Sequence, residues 1–313
     1  MMIYLIWIAL ALFLLYLGAS ALVNGASSLA TKLGVSPLVV GLTIVAFGTS
    51  TPELIVSVQA TLAGNGGIAV GNVVGSNLFN IGVILGLSAL CYPIAVTTSV
   101  LRQDIPVMSA TAVGFLLLFL DQTIQRTEGL ILVGASVLYT GFVIRQSRQE
   151  TNAAATDEFA QGLPRVRPWW QDLLMIGAGL ATLVVGSNLL VENAIALATL
   201  FGVSEAVIGL TIVAAGTSMP ELATSVVAAL KKQSDIALGN VVGSNIYNVL
   251  MILGISAAIS PLQSDDITLT ESLVMVGISL LLIPLAKTGF VLQRWEGGVL
   301  LLIYAGYLYT LWP

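Results

Sequence analysis

Apolar runs long enough to cross a bilayer recur along almost the whole chain, separated by short polar connections. About 20 helical residues cover the roughly 30 Å of a hydrocarbon core. Ten stretches qualify: 2–23, 35–62, 68–91, 99–120, 128–145, 172–197, 203–230, 236–259, 271–286 and 296–312. One connection is longer. Arg145 to Gln171 is polar, contains Thr156-Asp157-Glu158 and Pro164, and reads as a linker. The pattern predicts an all-α membrane protein of ten transmembrane helices.

The pattern also repeats. Moving 168 residues along the chain carries Gly41-Leu42-Thr43-Ile44-Val45-Ala46 onto Gly209-Leu210-Thr211-Ile212-Val213-Ala214. It carries Gly48-Thr49-Ser50 onto Gly216-Thr217-Ser218 and Pro52-Glu53-Leu54 onto Pro220-Glu221-Leu222. Gly71-Asn72-Val73-Val74-Gly75-Ser76-Asn77 likewise becomes Gly239-Asn240-Val241-Val242-Gly243-Ser244-Asn245, and Asn80 becomes Asn248. Weaker echoes reach Gly18/Gly186, Arg126/Arg294 and Glu128/Glu296. Each half holds five spans, an odd number, so the second enters the membrane from the opposite side. Residues 1–145 and 172–313 are then two inverted five-helix repeats joined by a cytoplasmic linker, 146–171. Such an architecture places a transporter's site near the midplane between its halves.

Charge orients the chain. With an outside N-terminus, ten of the eleven Lys and Arg residues fall in inside loops, and Arg126 alone falls outside. The positive-inside rule therefore predicts N-out and C-out. Of the 313 residues, 57% are hydrophobic and 9% charged, and the mean hydropathy is +0.98. Soluble domains carry roughly a quarter charged residues. No histidine is present, Cys91 is the single cysteine, and the net charge of −5 forms no basic stripe. Zinc and haem arrangements, a disulfide framework and nucleic-acid binding are thereby disfavoured. The apolar N-terminus lacks the positive start of a signal peptide, and its repeat partner lies mid-chain, so it reads as a retained first helix. Trp7, Trp169, Trp170, Trp295 and Trp312 fall toward span ends, as interfacial anchors do.

Glu53 and Glu221 lie well inside apolar spans, where an ionised carboxylate costs roughly 2.5 kcal/mol or more. No Lys or Arg lies within the core of any span to pair with them. Pro52 and Pro220 each precede one of these acids. A proline inside a helix lacks an N–H and clashes with the carbonyl four residues back, so the backbone is expected to open at Gly48 and Gly216. Thr49, Ser50, Thr217 and Ser218 would gather hydroxyls at the same breaks, tolerated at membrane depth only beside protein or a watery cavity. Gly71 with Gly75, and Gly239 with Gly243, suit close helix packing, and packing alone explains them. It does not explain Ser76 and Asn80, which share one helix face expected to approach the Glu53 helix, with Ser244 and Asn248 doing the same for Glu221. The donor set is all oxygen, which suits hard cations rather than soft metals. Two glutamates balance one divalent or two monovalent cations.

The doubled Gly-Thr-Ser-x-Pro-Glu and Gly-Asn-x-x-Gly-Ser-Asn motifs resemble the two α-repeats of the calcium/cation antiporter superfamily, most closely its sodium/calcium exchanger branch. The resemblance covers nearly the whole chain. It implies ten helices, alternating access by motion of the first and sixth helices against a core bundle, and exchange of several Na⁺ for one Ca²⁺. Glu53 and Glu221 would be central cation ligands, with oxygens from Thr49, Ser50, Thr217 and Ser218. Carbonyls of Ala46 and Ala214, completed by Ser76 and Ser244, would form flanking Na⁺ sites, with Asn80 and Asn248 at the centre. Some relatives have an aspartate at one of the latter two places, including K⁺-dependent exchangers. Amides at both argue against K⁺ dependence and remove one proton carrier. The family's large regulatory domain has no counterpart in the short linker, so Ca²⁺-sensor control is not expected.

Other acids rank lower. Glu192, aligned with Asn24, reads as interfacial, and Asp265, Asp266 and Glu271 as a solvated outer loop with a weak pull on cations. The resulting expectation is a Na⁺/Ca²⁺ antiporter in a prokaryotic cytoplasmic membrane, with no cofactor and no obligate protein partner. An H⁺/Ca²⁺ exchanger on the same fold is the alternative. A channel would conduct without coupling, and intramembrane aspartyl proteases use aspartates where this chain has glutamates.

Overall fold

The computed structural model describes residues 2–154, 168–201, 214–264 and 267–311. Within them the chain is helical: α1 (Met2–Leu33), α2 (Pro37–Thr49), α3 (Thr51–Leu62), α4 (Gly66–Cys91), α5 (Val100–Leu118), α6 (Arg126–Ala154) and α7 (Trp169–Leu200). A short turn, Ala214–Gly216, leads to α8 (Met219–Leu230), α9 (Ser234–Ile259), α10 (Leu269–Lys287) and α11 (Arg294–Leu311). Among the described residues seven helices are long and apolar enough to cross a membrane, and the bent pair α2–α3 makes an eighth. Ten spans were expected. Residues 203–213 of one lie outside the described residues, and α11 is diluted by Arg294, Glu296 and its tyrosines. Exposed Leu5, Phe13, Leu138 and Leu302 clothe the outside in apolar surface, which suits lipid and not water.

The helix break falls at Ser50, with φ −81° and ψ 8°, and α2 and α3 meet there at 45°. This corrects the expected opening at Gly48. Pro52 begins a new helix instead of interrupting an old one, and in a first turn its missing N–H costs no hydrogen bond. The second half does the same at Ser218, with φ −87° and ψ 8° before Pro220. The carbonyl of Gly216 is satisfied from outside its own helix, accepting from Ser187 Oγ at 2.7 Å.

Among the described residues four strands of two residues each depart from a purely helical reading: β1 (Ile94–Ala95), β2 (Thr123–Ile124), β3 (Leu262–Gln263) and β4 (Val291–Leu292). β1 pairs with β4 through Ile94 and Leu292, and β2 with β3 through Ile124 and Leu262. The offset of 168 relates Ile94 to Leu262 and Ile124 to Leu292, so each ladder is the repeat image of the other. α5 and α10 pack together and run between the two ladders, which therefore cap opposite ends of the bundle. Such short loop ladders leave no periodicity in the sequence. Glu271, expected to be merely solvated, closes a capping box with Thr268 at the start of α10. The echoed acids cap too: Gln125 N donates to Glu128 and Gln293 N to Glu296, both at 2.7 Å.

Two apolar clusters organise the packing. The larger joins α4, α5, α9 and α10 around Leu78, Ile81, Leu85, Met108, Val242, Leu253 and Met275. The smaller joins α1 and α7 through Leu22, Val23 and Leu183, and touches Ala228 and Ile236. α1 and α7 lie antiparallel in close contact, since a Cβ on Gly18 would sit 2.8 Å from Gly179 O and one on Gly179 equally near Gly18 O. Their ends are tied by Lys32 and the fully buried Asp172. The halves interlock elsewhere through α9, where a Cβ on Gly243 would sit 2.6 Å from Leu42 O. Of the partners expected for Gly71 and Gly75 by repeat, residues 206, 209 and 210 fall outside the described residues. Replacing Gly243 by Ala is expected to destabilise the protein by roughly 1–3 kcal/mol through overpacking against backbone. Gly177→Ala, with open space around it, should leave the thermal midpoint in detergent unchanged or raised.

Candidate functional site

The two helix breaks meet. Ser50 Oγ donates to Glu221 Oε1 at 2.8 Å, and Ser218 Oγ donates to Glu53 Oε1 at 2.9 Å. Each half thus supplies the hydroxyl that holds the other half's carboxylate. Both glutamates are about 1% exposed. Neither has a Lys or Arg partner among the described residues.

The acids sit where they do because α3 and α8 start immediately before them. The first turn of a helix presents unpaired N–H groups and the positive end of its dipole, a favourable setting for a carboxylate. A second tie comes from α4 and α9. Asn72 Nδ2 donates to Glu53 O at 3.2 Å and to Ser57 Oγ at 2.9 Å, while Asn240 Nδ2 donates to Glu221 O at 3.3 Å and to Ser225 Oγ at 2.9 Å. Both asparagines therefore fix the backbone beneath the acids. Sequence reasoning assigned them no role, although both stand at repeated positions inside the Gly-Asn-x-x-Gly-Ser-Asn motif.

A chain of amides crosses the centre. Asn80 Nδ2 donates to Asn245 Oδ1 and Asn248 Nδ2 to Asn77 Oδ1, each at 2.9 Å. Asn77 and Asn245 were also missed, for the same reason: the motif displays them, but their partners lie in the opposite half. Asn80 and Asn248 open segments of wider π-type helix, Asn80–Leu85 and Asn248–Leu253, and such bulges favour functional positions.

The other expected residues divide. Ser76 Oγ lies 3.2 Å from Ser218 Oγ, beside Glu53, whereas Ser244 Oγ is buried without a protein partner. Thr49 Oγ1 lies 3.0 Å from both Val45 O and Asn240 Oδ1. Among the described residues its mate Thr217 has no hydrogen-bond partner for Oγ1, and it lines a cavity of about 360 Å³ between α3 and α7, together with Thr51, Pro52, Ser187 and Glu192. Glu192, read as interfacial, faces this cavity. Ala46 O accepts from Ser50 N at 3.0 Å within its own turn, and Ala214 begins the short turn before Thr217. Asp265, Asp266 and Trp312 lie outside the described residues.

The chemistry of the site follows from what is left over. Among the described residues Glu53 Oε2, Glu221 Oε2, Asn80 Oδ1 and Asn248 Oδ1 are all buried acceptors without a protein donor. Buried polar atoms are rarely left so, and four in symmetric pairs form an oxygen-only set suited to a hard cation. Among the described residues no group of three or more His, Cys, Asp or Glu side chains gathers. Neutral oxygens must therefore supply most of any coordination shell.

The family model described as sodium/calcium exchanger protein matches residues 3–145 and 172–312. The chain is 34% identical to the sodium/calcium exchanger MaX1 of Methanosarcina acetivorans, over 96% of each chain. It is 38% identical to the inner membrane protein YrbG of Escherichia coli, over 82% of this chain and 80% of that one. A solved structure of the sodium-calcium exchanger NCX_Mj, soaked with Na⁺ and Ca²⁺, superposes with a TM-score of 0.85 at 31% identity, covering 99% of both chains.

The amide pairs give a test of the architecture. Asn245→Leu removes the acceptor of Asn80 and leaves that amide buried and unpaired, a loss expected to cost about 1–3 kcal/mol. Unfolding midpoints of Asn245→Leu and Asn77→Leu in detergent should fall by similar amounts, since the two bonds are repeat images. A marked difference would show that the centre is not symmetric.

Proposed function

Because the chain belongs to the sodium/calcium exchanger protein family, a family of transporters, we propose that it exchanges Na⁺ for Ca²⁺ by alternating access. Calcium/cation antiport is the common ground with its relatives, and the membrane is its setting. Coupling to Na⁺, with Glu53 and Glu221 as central ligands, is the finer reading. The observation that carries it is the reciprocal serine–glutamate pairing across the two halves, with unpaired oxygens of Glu53, Glu221, Asn80 and Asn248 left beside it.

In this reading one Ca²⁺ or two Na⁺ balance the two carboxylates, and any further Na⁺ rests on neutral oxygens. Thr49, Ser50, Thr217, Ser218, Ser76, Ser244 and the carbonyls of Ala46 and Ala214 supply them. Competition of the two ions for the same carboxylates couples their fluxes. A channel would need no such coupling. The lack of a histidine, and of a third acid beside Glu53 and Glu221 among the described residues, favours Na⁺ over H⁺ as the exchanged ion.

The fold follows as ten helices in two inverted halves, 1–145 and 172–313, around the 146–171 linker, N-out and C-out in a prokaryotic cytoplasmic membrane. The Lys and Arg bias supports that orientation. The two repeat-related flanks also differ, since a cavity between α3 and α7 extends as far as Thr217 while the flank between α1 and α8 is packed. Such one-sidedness supports alternating access.

Reconstituted in vesicles, the protein should take up radiolabelled Ca²⁺ when an outward Na⁺ gradient is imposed and not when K⁺ replaces it. Uptake driven by a pH gradient and indifferent to Na⁺ would establish the H⁺/Ca²⁺ alternative. Glu53→Gln and Glu221→Gln should each reduce transport to background while keeping a monodisperse, folded protein. Retained transport in both variants would remove the carboxylates from the mechanism.

A further inference from the structure

The repeat lets each flank of the site be compared with its own mate. The open cavity is lined by Thr51, Pro52, Ile55, Val191, Glu192 and Thr217. Their mates at the offset of 168 are Met219, Pro220, Ala223, Val23, Asn24 and Thr49, which lie where α8 meets α1. There most of the wall is more deeply buried, although Asn24 is exposed. Val23 is fully buried and Thr49 about 1% exposed, Pro220 is buried where Pro52 is half-buried, and Ala223 packs on the α1–α7 cluster.

The two flanks also differ in charge. Glu192 is exposed, and no Lys or Arg pairs with it among the described residues. Its mate Asn24 accepts a hydrogen bond from Lys231 Nζ at 3.0 Å, and the same ammonium donates to Ser20 O at 3.2 Å. The mate of Lys231 is Ala63, which carries no charge. At these mate positions one flank thus has a carboxylate where the other has an amide, and an uncharged alanine where the other has an ammonium.

We propose that Lys231 and Glu192 are positioning residues that set the two access routes apart, Lys231 latching α1 to the end of α8 and Glu192 gathering cations in the open cavity. Opening a cavity on the closed flank like that on its mate requires α1 to part from α8. Lys231 opposes that parting, because its charge-assisted bonds are stronger than neutral ones. It follows the last turn of α8, where the helix dipole favours a cation. Partial burial draws its pKa below the ordinary lysine value, a cost the two bonds offset. Glu192 acts at longer range, since a carboxylate in a low-dielectric cleft raises the local cation concentration. The proposal rests on the alternating-access reading, but its first test does not require transport.

That test uses the full chain in vesicles, with Cys91→Ser as background and Ala223→Cys as reporter. A membrane-impermeant maleimide is applied from the Lys231 side. Lys231→Gln is expected to raise the labelling rate about tenfold, the scale of one lost charged hydrogen bond, and Lys231→Arg to return it toward the parent rate. Ala63→Lys with Glu192→Asn, which builds the latch on the other flank, should slow labelling of an Ile55→Cys reporter from that side. Glu192→Gln should raise the half-saturating Ca²⁺ concentration on its own side and leave the maximal rate unchanged. Equal Ala223→Cys labelling in parent and Lys231→Gln, with matching unfolding midpoints, overturns the latch. An unchanged half-saturating concentration overturns the role of Glu192. A tenfold labelling change in a protein without Na⁺-driven Ca²⁺ uptake would keep the latch and sink the antiport reading instead.

Discussion

Glu53 and Glu221 are carboxylates at the centre of an apolar protein, each with almost no solvent exposure, and the surrounding structure is arranged to hold them. Burying such a group without compensation is prohibitive. Compensation comes in three layers: the start of a helix beneath each acid, a serine from the other half on one oxygen, and an asparagine on the backbone below. The second oxygen of each receives no protein donor. Because the serines cross between halves, neither half can form its site alone.

That dependence accounts for the rest of the packing. Gly243 exists so that α9 can approach the backbone of α2, bringing Asn240 within reach of Thr49. The central asparagines bond only across the pseudo-twofold, Asn80 to Asn245 and Asn248 to Asn77. The loop ladders repeat the same logic at the two ends of the bundle, pairing one half with the other. α1 and α7 pack into a smaller cluster that residues of α2, α8 and α9 complete.

Exact symmetry would close or open both flanks together. The sequence breaks it at a few positions, and these matter most for access: Glu192 against Asn24, Lys231 against Ala63, Ser187 against Ala19. Thr49 is pinned by Asn240, whereas Thr217 borders the cavity with no hydrogen-bond partner among the described residues. Two copies of one motif therefore occupy different surroundings in a single conformation, as a carrier with one side open requires.

Much of this was legible in the chain. Hydropathy predicted a helical membrane protein, the offset of 168 displayed the repeated motifs, and burial cost drew attention to Glu53 and Glu221, because length, periodicity and the expense of charge in lipid are local properties. The resemblance to the exchanger family rested on the same motifs. Which serine holds which acid was not legible, nor were the roles of Asn72, Asn77, Asn240 and Asn245, the loop ladders, or the cavity beside Glu192. Each depends on residues more than a hundred positions apart meeting at one point, or on a backbone turn whose partner lies on another helix. Even the proline was misjudged locally: its position was plain, but only the packed helices decided that Ser50 would bend and Pro52 begin anew. The sequence by itself determined what must be buried and what must be repeated; tertiary structure decided who meets whom, because hydrogen bonds across the halves exist only once both have folded.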